Sequence, residues 1–146
     1  MGLSVKRFAW QALVCVEMNT HPSIDASLCG ELVSLAPGIA EVELRTDTRM
    51  AADARGLVHG GFVFGAADYA AMLAVNDPNV VLGAASVKFT APAQVGEAVR
   101  LRAELRGEKG RKREVEVVGQ VGETRVFEGT FTCFVLDEHV LDSRAK

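Results

Sequence analysis

The chain has 146 residues, 49% of them hydrophobic and 24% charged, with a formal net charge of −3. That length suits one domain with a single core, and the composition is that of an ordinary globular protein. The acidic balance argues against nucleic acid or an anionic membrane as the main partner. Its three cysteines, Cys15, Cys29 and Cys133, are odd in number and lack ligand-like spacing, so neither a disulfide framework nor a metal site is expected. Near the start, Lys6-Arg7 precedes apolar residues, but Gln11 and Glu17 interrupt any export signal, and Met1-Gly2 is followed by Lys6 where myristoylation needs Ser or Thr. With no export or anchor signal, a reducing cytoplasm is the expected compartment.

In chain order, residues 4–18 carry Val5, Phe8, Leu13 and Val16 near helical spacing, and Trp10 on this helix is expected to pack onto a sheet. Thr20-His21-Pro22 reads as a second helix start, with Thr20 as N-cap and an end near Gly30. His21 reads as a surface residue without a role. Glu31 to Leu35 and Ile39 to Thr46 form a hairpin around Ala36-Pro37-Gly38, the second strand alternating apolar and charged residues. A polar, alanine-rich loop over 47–55 leads to the most informative stretch. Beyond it, strands are expected over Val80 to Thr90, Ala98 to Leu105, Glu114 to Val121 and Thr124 to Leu136, with turns at Gly107-Glu108-Lys109-Gly110 and Gly122-Glu123. One long helix among strands indicates an α+β domain over residues 1–146, with 1–29 as a helical N-terminal extension and 30–136 as the core. Val115 to Val121 is a candidate strand for pairing between copies.

From Phe62 to Val75 nearly every residue is apolar or small, alanines dominate, and Asn76-Asp77-Pro78-Asn79 ends the run. A helix apolar on all sides is expected at the buried centre of the domain. Two features do not fit a plain core element. The Gly60-Gly61 entry leaves backbone N–H groups with little side-chain cover, an end that favours an anion or oxyanion. Asp68 is the one acidic or basic residue between His59 and Asp77, and burial pushes a carboxyl pKa upward. Asp68 follows Gly61 by seven residues, which puts both on one face but roughly 10 Å apart along the axis. One carbonyl cannot touch both on the same helix. Two antiparallel copies can set Gly61 of one opposite Asp68 of the other, so the spacing predicts a composite site across a two-fold homodimer.

His59-Gly60-Gly61, with Asp68 nine residues after the histidine, resembles the hotdog-fold acyl-CoA thioesterases of the phenylacetate-pathway type, over a span from about Gly30 to Leu136. The resemblance implies a long central helix wrapped by a curved antiparallel sheet of five to six strands, here with short N-terminal helices, and two protomers that share two active sites. It further implies that the Gly61 amide forms the oxyanion hole and that Asp68 acts as general base or nucleophile, with His59 orienting the loop. Acyl-CoA is the implied substrate, with no cofactor beyond the coenzyme A it carries, and a dimer of dimers is the implied assembly.

Two departures from the family pattern stand out. Asp53 occupies the place where relatives often have an asparagine; it reads either as a second carboxylate near the site, which would raise one pKa of the pair, or equally as a solvated loop residue. The place of a Ser or Thr beside the acyl group falls near Leu82-Gly83, where no hydroxyl is available. Gly60, Gly83, Lys88 and Arg55 are carried as substrate-contact candidates. The basic turn from Arg106 to Arg113 reads as a solvated hairpin tip, because Glu104, Glu108 and Glu114 interleave with it. The second function class is a non-catalytic hotdog protein that binds acyl-CoA or a small acyl ligand, which both departures favour. A regulator would need a fused DNA-binding domain, for which the first 25 residues are too few. A hydratase is disfavoured, because Asn76-Asp77-Pro78-Asn79 has the wrong order for its motif.

Overall fold

In the computed structural model, residues 16–144 are described. Most of the expected 4–18 helix, with Trp10, lies outside them, and Glu17 to Asn19 are not helical. The first helix, α1 (Ala26–Cys29), is capped by Asp25, whose carboxylate accepts from the Ser27 amide at 2.9 Å. Thr20 therefore does not start it. Its hydroxyl instead meets His21 Nδ1 at 2.7 Å, and the chain turns at His21, which has φ 55°. The expected end was right: Gly30 closes α1.

Strands β1 (Glu31–Ala36) and β2 (Ile39–Arg45) form the expected hairpin, turning at Pro37-Gly38, with Gly38 at φ +77°. A 3₁₀ turn (Thr48–Met50) in the following loop drops Met50 into the core. Then come the long helix α2 (Gly60–Val75) and strands β3 (Val80–Phe89), β4 (Ala98–Lys109), β5 (Lys112–Val121) and β6 (Thr124–Val135). A short helix, α3 (Val140–Ser143), follows the last strand. The β4–β5 hairpin is longer than its sequence suggests. Pairing continues to Lys109 opposite Lys112, which leaves Gly110-Arg111 as the tip, and a bulge between Leu105 and Gly107 absorbs the glycine that looked like a turn. The basic residues there are ion-paired at the surface, Arg106 with Glu116 at 2.8 Å and Arg113 with Glu108 at 3.6 Å.

All six strands are antiparallel in the order β1-β2-β4-β5-β6-β3. Bulges in β1, β3, β4 and, opposite Gly119-Gln120, at Val126 of β6 bend the sheet. It curves around α2, which spans about 24 Å at 1.5 Å per residue and packs on β2, β4 and β5. This is the hotdog arrangement. Val42, Leu44, Val99, Leu101, Val115, Val117, Phe127 and Phe131 are the inward members of alternating strands, nearly or fully removed from solvent. The outward members of β2 and β4 pair instead: Arg100 meets Glu43 at 2.9 Å and Arg102 meets Glu41 at 3.0 Å. Each exposed pair contributes about 0.2–1 kcal/mol.

Two expectations need correction. Val115 to Val121 lies in β5, between β4 and β6, with both edges already paired. The sheet edges are β1 and β3, so these two strands, not β5, have a backbone side left unpaired within the sheet. The helix is also not buried on all sides. Val63, Ala66, Ala67 and the run Tyr69 to Ala74 are buried, whereas Gly61 is exposed and Phe64, Gly65 and Asp68 are partly open. A side chain built at Gly65 would meet nothing within 4 Å.

Candidate active site

At its N-terminus α2 has His59 as N-cap residue without a side-chain capping bond. The His59 amide donates to Met50 O at 2.8 Å and Phe62 N to His59 O at 3.1 Å. The Gly60 and Gly61 amides take no acceptor among the described residues. An N–H left free at a helix start is a ready donor to negative charge. The glycines have separate reasons. A Cβ at Gly60 would sit 3.1 Å from the Phe89 ring, and one at Gly61 would sit 3.1 Å from the imidazole of His59. Gly60 thus admits Phe89 across the helix end, while Gly61 leaves its amide uncovered beneath the edge of His59. A hollow of about 370 Å³ opens there, lined by Leu57, Gly60, Val63, Phe89 and Thr90.

Asp68 lies on the same stripe of the helix as Gly61 and Gly65, two turns on. Its Oδ1 is buried without a hydrogen-bond partner. Burial raises its pKa above the ordinary carboxylate value, and no neighbouring charge contributes. Two thiols lie within its electrostatic reach. Cys133 is pushed up to about 12, by burial first and then by Asp68. The Cys29 thiol is raised by burial, then by Asp25 and Asp68. A raised carboxyl facing two protonated thiols, with an oxygen that bonds to nothing, is an acid–base group held without a structural task.

Asp53 is elsewhere. It is exposed, and its Oδ1 accepts from the Arg55 amide at 2.9 Å and the Leu57 amide at 3.2 Å, shaping its own loop as an Asx turn. Within one chain the expected coupling of two carboxylates does not occur, since burial alone accounts for the rise at Asp68. Asp53 and Arg55 line a hollow of about 430 Å³ that shares Leu57, Pro92 and Ala93 with the one at the helix start. Lys88 lies apart, opposite Glu128 on β6 and lining a separate hollow of about 400 Å³ with Ser86 and Thr130. Gly83 sits at the β3 bulge, where any Cβ would collide with the Phe134 ring. Among the described residues, no three His, Cys, Asp or Glu side chains converge to hold a metal ion. Also among them, no helix is long and apolar enough to cross a membrane.

Sequence reasoning missed what lies against Tyr69, the residue after Asp68. His21 is half-buried, its ring 6.1 Å from that of Tyr69, and burial lowers its pKa. Nothing in the lone His-Pro pair signals this, because Tyr69 is 48 positions away.

No protein-family model matches the chain. The uncharacterized protein PH1136 from Pyrococcus horikoshii is 50% identical, with 87% of this chain and 98% of that one covered and a TM-score of 0.86. The chain belongs to the hotdog-fold family of PH1136. Members of this fold recur among other solved structures: a mutant of the phenylacetic acid degradation protein PaaI from Thermus thermophilus is 29% identical to this hotdog protein, covering 75% of it and 95% of PaaI, with a TM-score of 0.68. Among curated proteins, 84% of the chain is 50% identical to a stretch of Aquifex aeolicus methylthioribose-1-phosphate isomerase. The same share is 28% identical to the transcription factor FapR of Caldanaerobacter subterraneus. The chain spans 27% of the isomerase and 62% of FapR, so most of the isomerase has no counterpart here.

Proposed function

We propose that the chain is an acyl-CoA thioesterase whose sites form between two antiparallel copies. Asp68 of one copy draws a proton from water as that water attacks the thioester carbonyl, and the Gly61 amide of the other holds the developing oxyanion. The tetrahedral intermediate then expels the thiolate, which takes up the proton, leaving free acid and thiol. A base in this role contributes about 10²–10⁴-fold in rate, and an oxyanion donor about 3 kcal/mol. A carboxyl raised by burial suits the base, because its pKa moves toward neutrality. His59 positions the loop and leaves the Gly61 amide open; Asp53 and Arg55, at the mouth of the adjoining hollow, meet the coenzyme A portion. The likeness to PaaI, a hotdog protein of phenylacetic acid degradation, supports the same chemistry.

The observation that carries this reading is the buried, unbonded Asp68 oxygen on the stripe that bears the free Gly61 amide. Thiol release from a panel of acyl-CoA substrates tests it. Wild type releases thiol, and Asp68→Asn loses at least about 100-fold in kcat. A second reading has its own observation: FapR, a transcription factor, matches the chain over 123 residues. On that reading the same pocket binds acyl-CoA as a signal, and tight binding without turnover is its signature.

A further inference from the structure

A hollow of about 670 Å³ opens at the C-terminal end of α2, away from Gly61. Its walls are apolar: Val16 ahead of α1, Ala36, Pro37 and Ile39 around the β1–β2 turn, Val75 at the end of α2 and Leu105 on β4. That volume would suit a small molecule, but such a site needs convergent polar groups to orient its ligand. Here the polar side chains are already engaged. Asn76 Nδ2 donates to Glu17 O and its Oδ1 accepts from the Asn19 amide, both at 2.7 Å. On the rim, Glu104 pairs with Arg106 at 3.3 Å and Glu108 with Arg113 at 3.6 Å. What the hollow offers is apolar surface.

We infer that residues 1–15 of the same chain are its occupant, docked by the apolar stripe of an amphipathic helix. Val16 is where that segment joins the described chain, and it both lines the hollow and packs on the core. The bonds from Asn76 hold the chain directly after it. Three extended residues reach at most about 11 Å, so connectivity alone keeps Leu13 close to the hollow. A tethered segment meets its site at a high local concentration, which a free partner lacks. Val5, Phe8, Leu13 and Val16 share one side of a helix, so the stripe that includes Val16 runs back through Leu13 and Phe8. A helix this short is marginal in water, and packing in the hollow stabilises it. Lys6 and Arg7 bring positive charge toward Glu104 and Glu108. Those acids already hold arginines, so burial of Phe8 and Leu13 carries the contact and charge only orients it.

Trp10 is the single tryptophan of the chain, so its fluorescence reads this segment alone, and it lies off the stripe, where the substitutions below leave it in place. Time-resolved anisotropy of the full-length protein is the test. Docked, Trp10 turns only with the whole molecule; undocked, it adds a fast segmental decay. Wild type should show the slow decay alone. A Phe8→Asp, Leu13→Asp double variant removes the stripe, and Ile39→Lys alters the hollow at a partly exposed position. Both variants should gain the fast decay, with the far-UV circular dichroism of the core retained. Hydrogen exchange should show protected amides in residues 5–15 of wild type and a loss of that protection in both. A fast decay in wild type overturns the inference. So does a slow decay kept in Ile39→Lys, which would seat the segment elsewhere. A slow decay that disappears on dilution overturns it too, because a second copy's segment would then be the occupant.

Discussion

The two halves of the central helix are built from the same alanine-rich sequence and are treated in opposite ways by the fold. From Tyr69 to Ala74 every residue is buried, beneath the sheet on one side, while Met18 meets Tyr69 and Glu17 meets Asn76 on the other. From Gly60 to Asp68 the outward stripe is bare: two unbonded amides, a glycine with empty space above it and a carboxyl oxygen without a partner. The C-terminal half shows what α2 needs for folding. Whatever differs in the N-terminal half is free to serve something else, and on the proposed reading a second copy covers it.

The largest effect expected from breaking this contrast is on turnover. Asp68→Asn removes the carboxylate that folding leaves idle, and thiol-release assays should register a loss of about 10²–10⁴-fold with the circular dichroism spectrum intact. Retained activity would return Asp68 to the structural half. Next is the sealed side: Phe131→Ala deletes a fully buried ring that stacks on Phe64. Denaturant unfolding should show a loss of about 3–5 kcal/mol. Gly65→Leu tests the bare stripe. Open space around position 65 means the isolated fold gains up to about 1 kcal/mol from helix propensity, while analytical ultracentrifugation should show a weakened dimer and assays reduced turnover. An unchanged dimer would place the partner elsewhere.

The smallest expected effect is on stability as a function of pH, and its sign is fixed by burial. The folded pKa of Asp68 lies above its unfolded value of 3.8, so folding favours the protonated form. The stability tied to that proton is fully present below the unfolded value and is lost as pH rises through the folded pKa. Asp68→Asn should therefore be more stable than wild type at neutral pH, with the gap closing toward acid. Thermal melts across that range measure it, and a gap that widens on acidification would contradict the burial argument.

Much of this fold is legible along the chain because local physics repeats. All six strands were expected at their places, several of them from period-two alternation, and Pro37-Gly38 and Gly122-Glu123 turn where their chemistry says they should. The exceptions have local causes. Gly107 looked like a turn but sits in a bulge, and Thr20 looked like a cap while Asp25 does the capping. The spacing of Gly61 and Asp68 was equally readable, since helical periodicity fixes which residues share a stripe. For Asp53, where a site carboxylate and a loop residue read equally well, the structure adds that one oxygen accepts from its own loop amides while the residue lines the hollow beside the helix start.

By itself, then, the sequence determined the strands, the long helix and the stripe that joins a glycine amide to one acid. These follow from periodicity and propensity, which act between near neighbours. Only the tertiary structure decided which half of the helix is sealed, that β1 and β3 rather than β5 are the sheet edges, and that Met18 and His21 stand at Tyr69. Those outcomes depend on where distant segments come to rest, and long-range packing leaves no periodic trace in the chain.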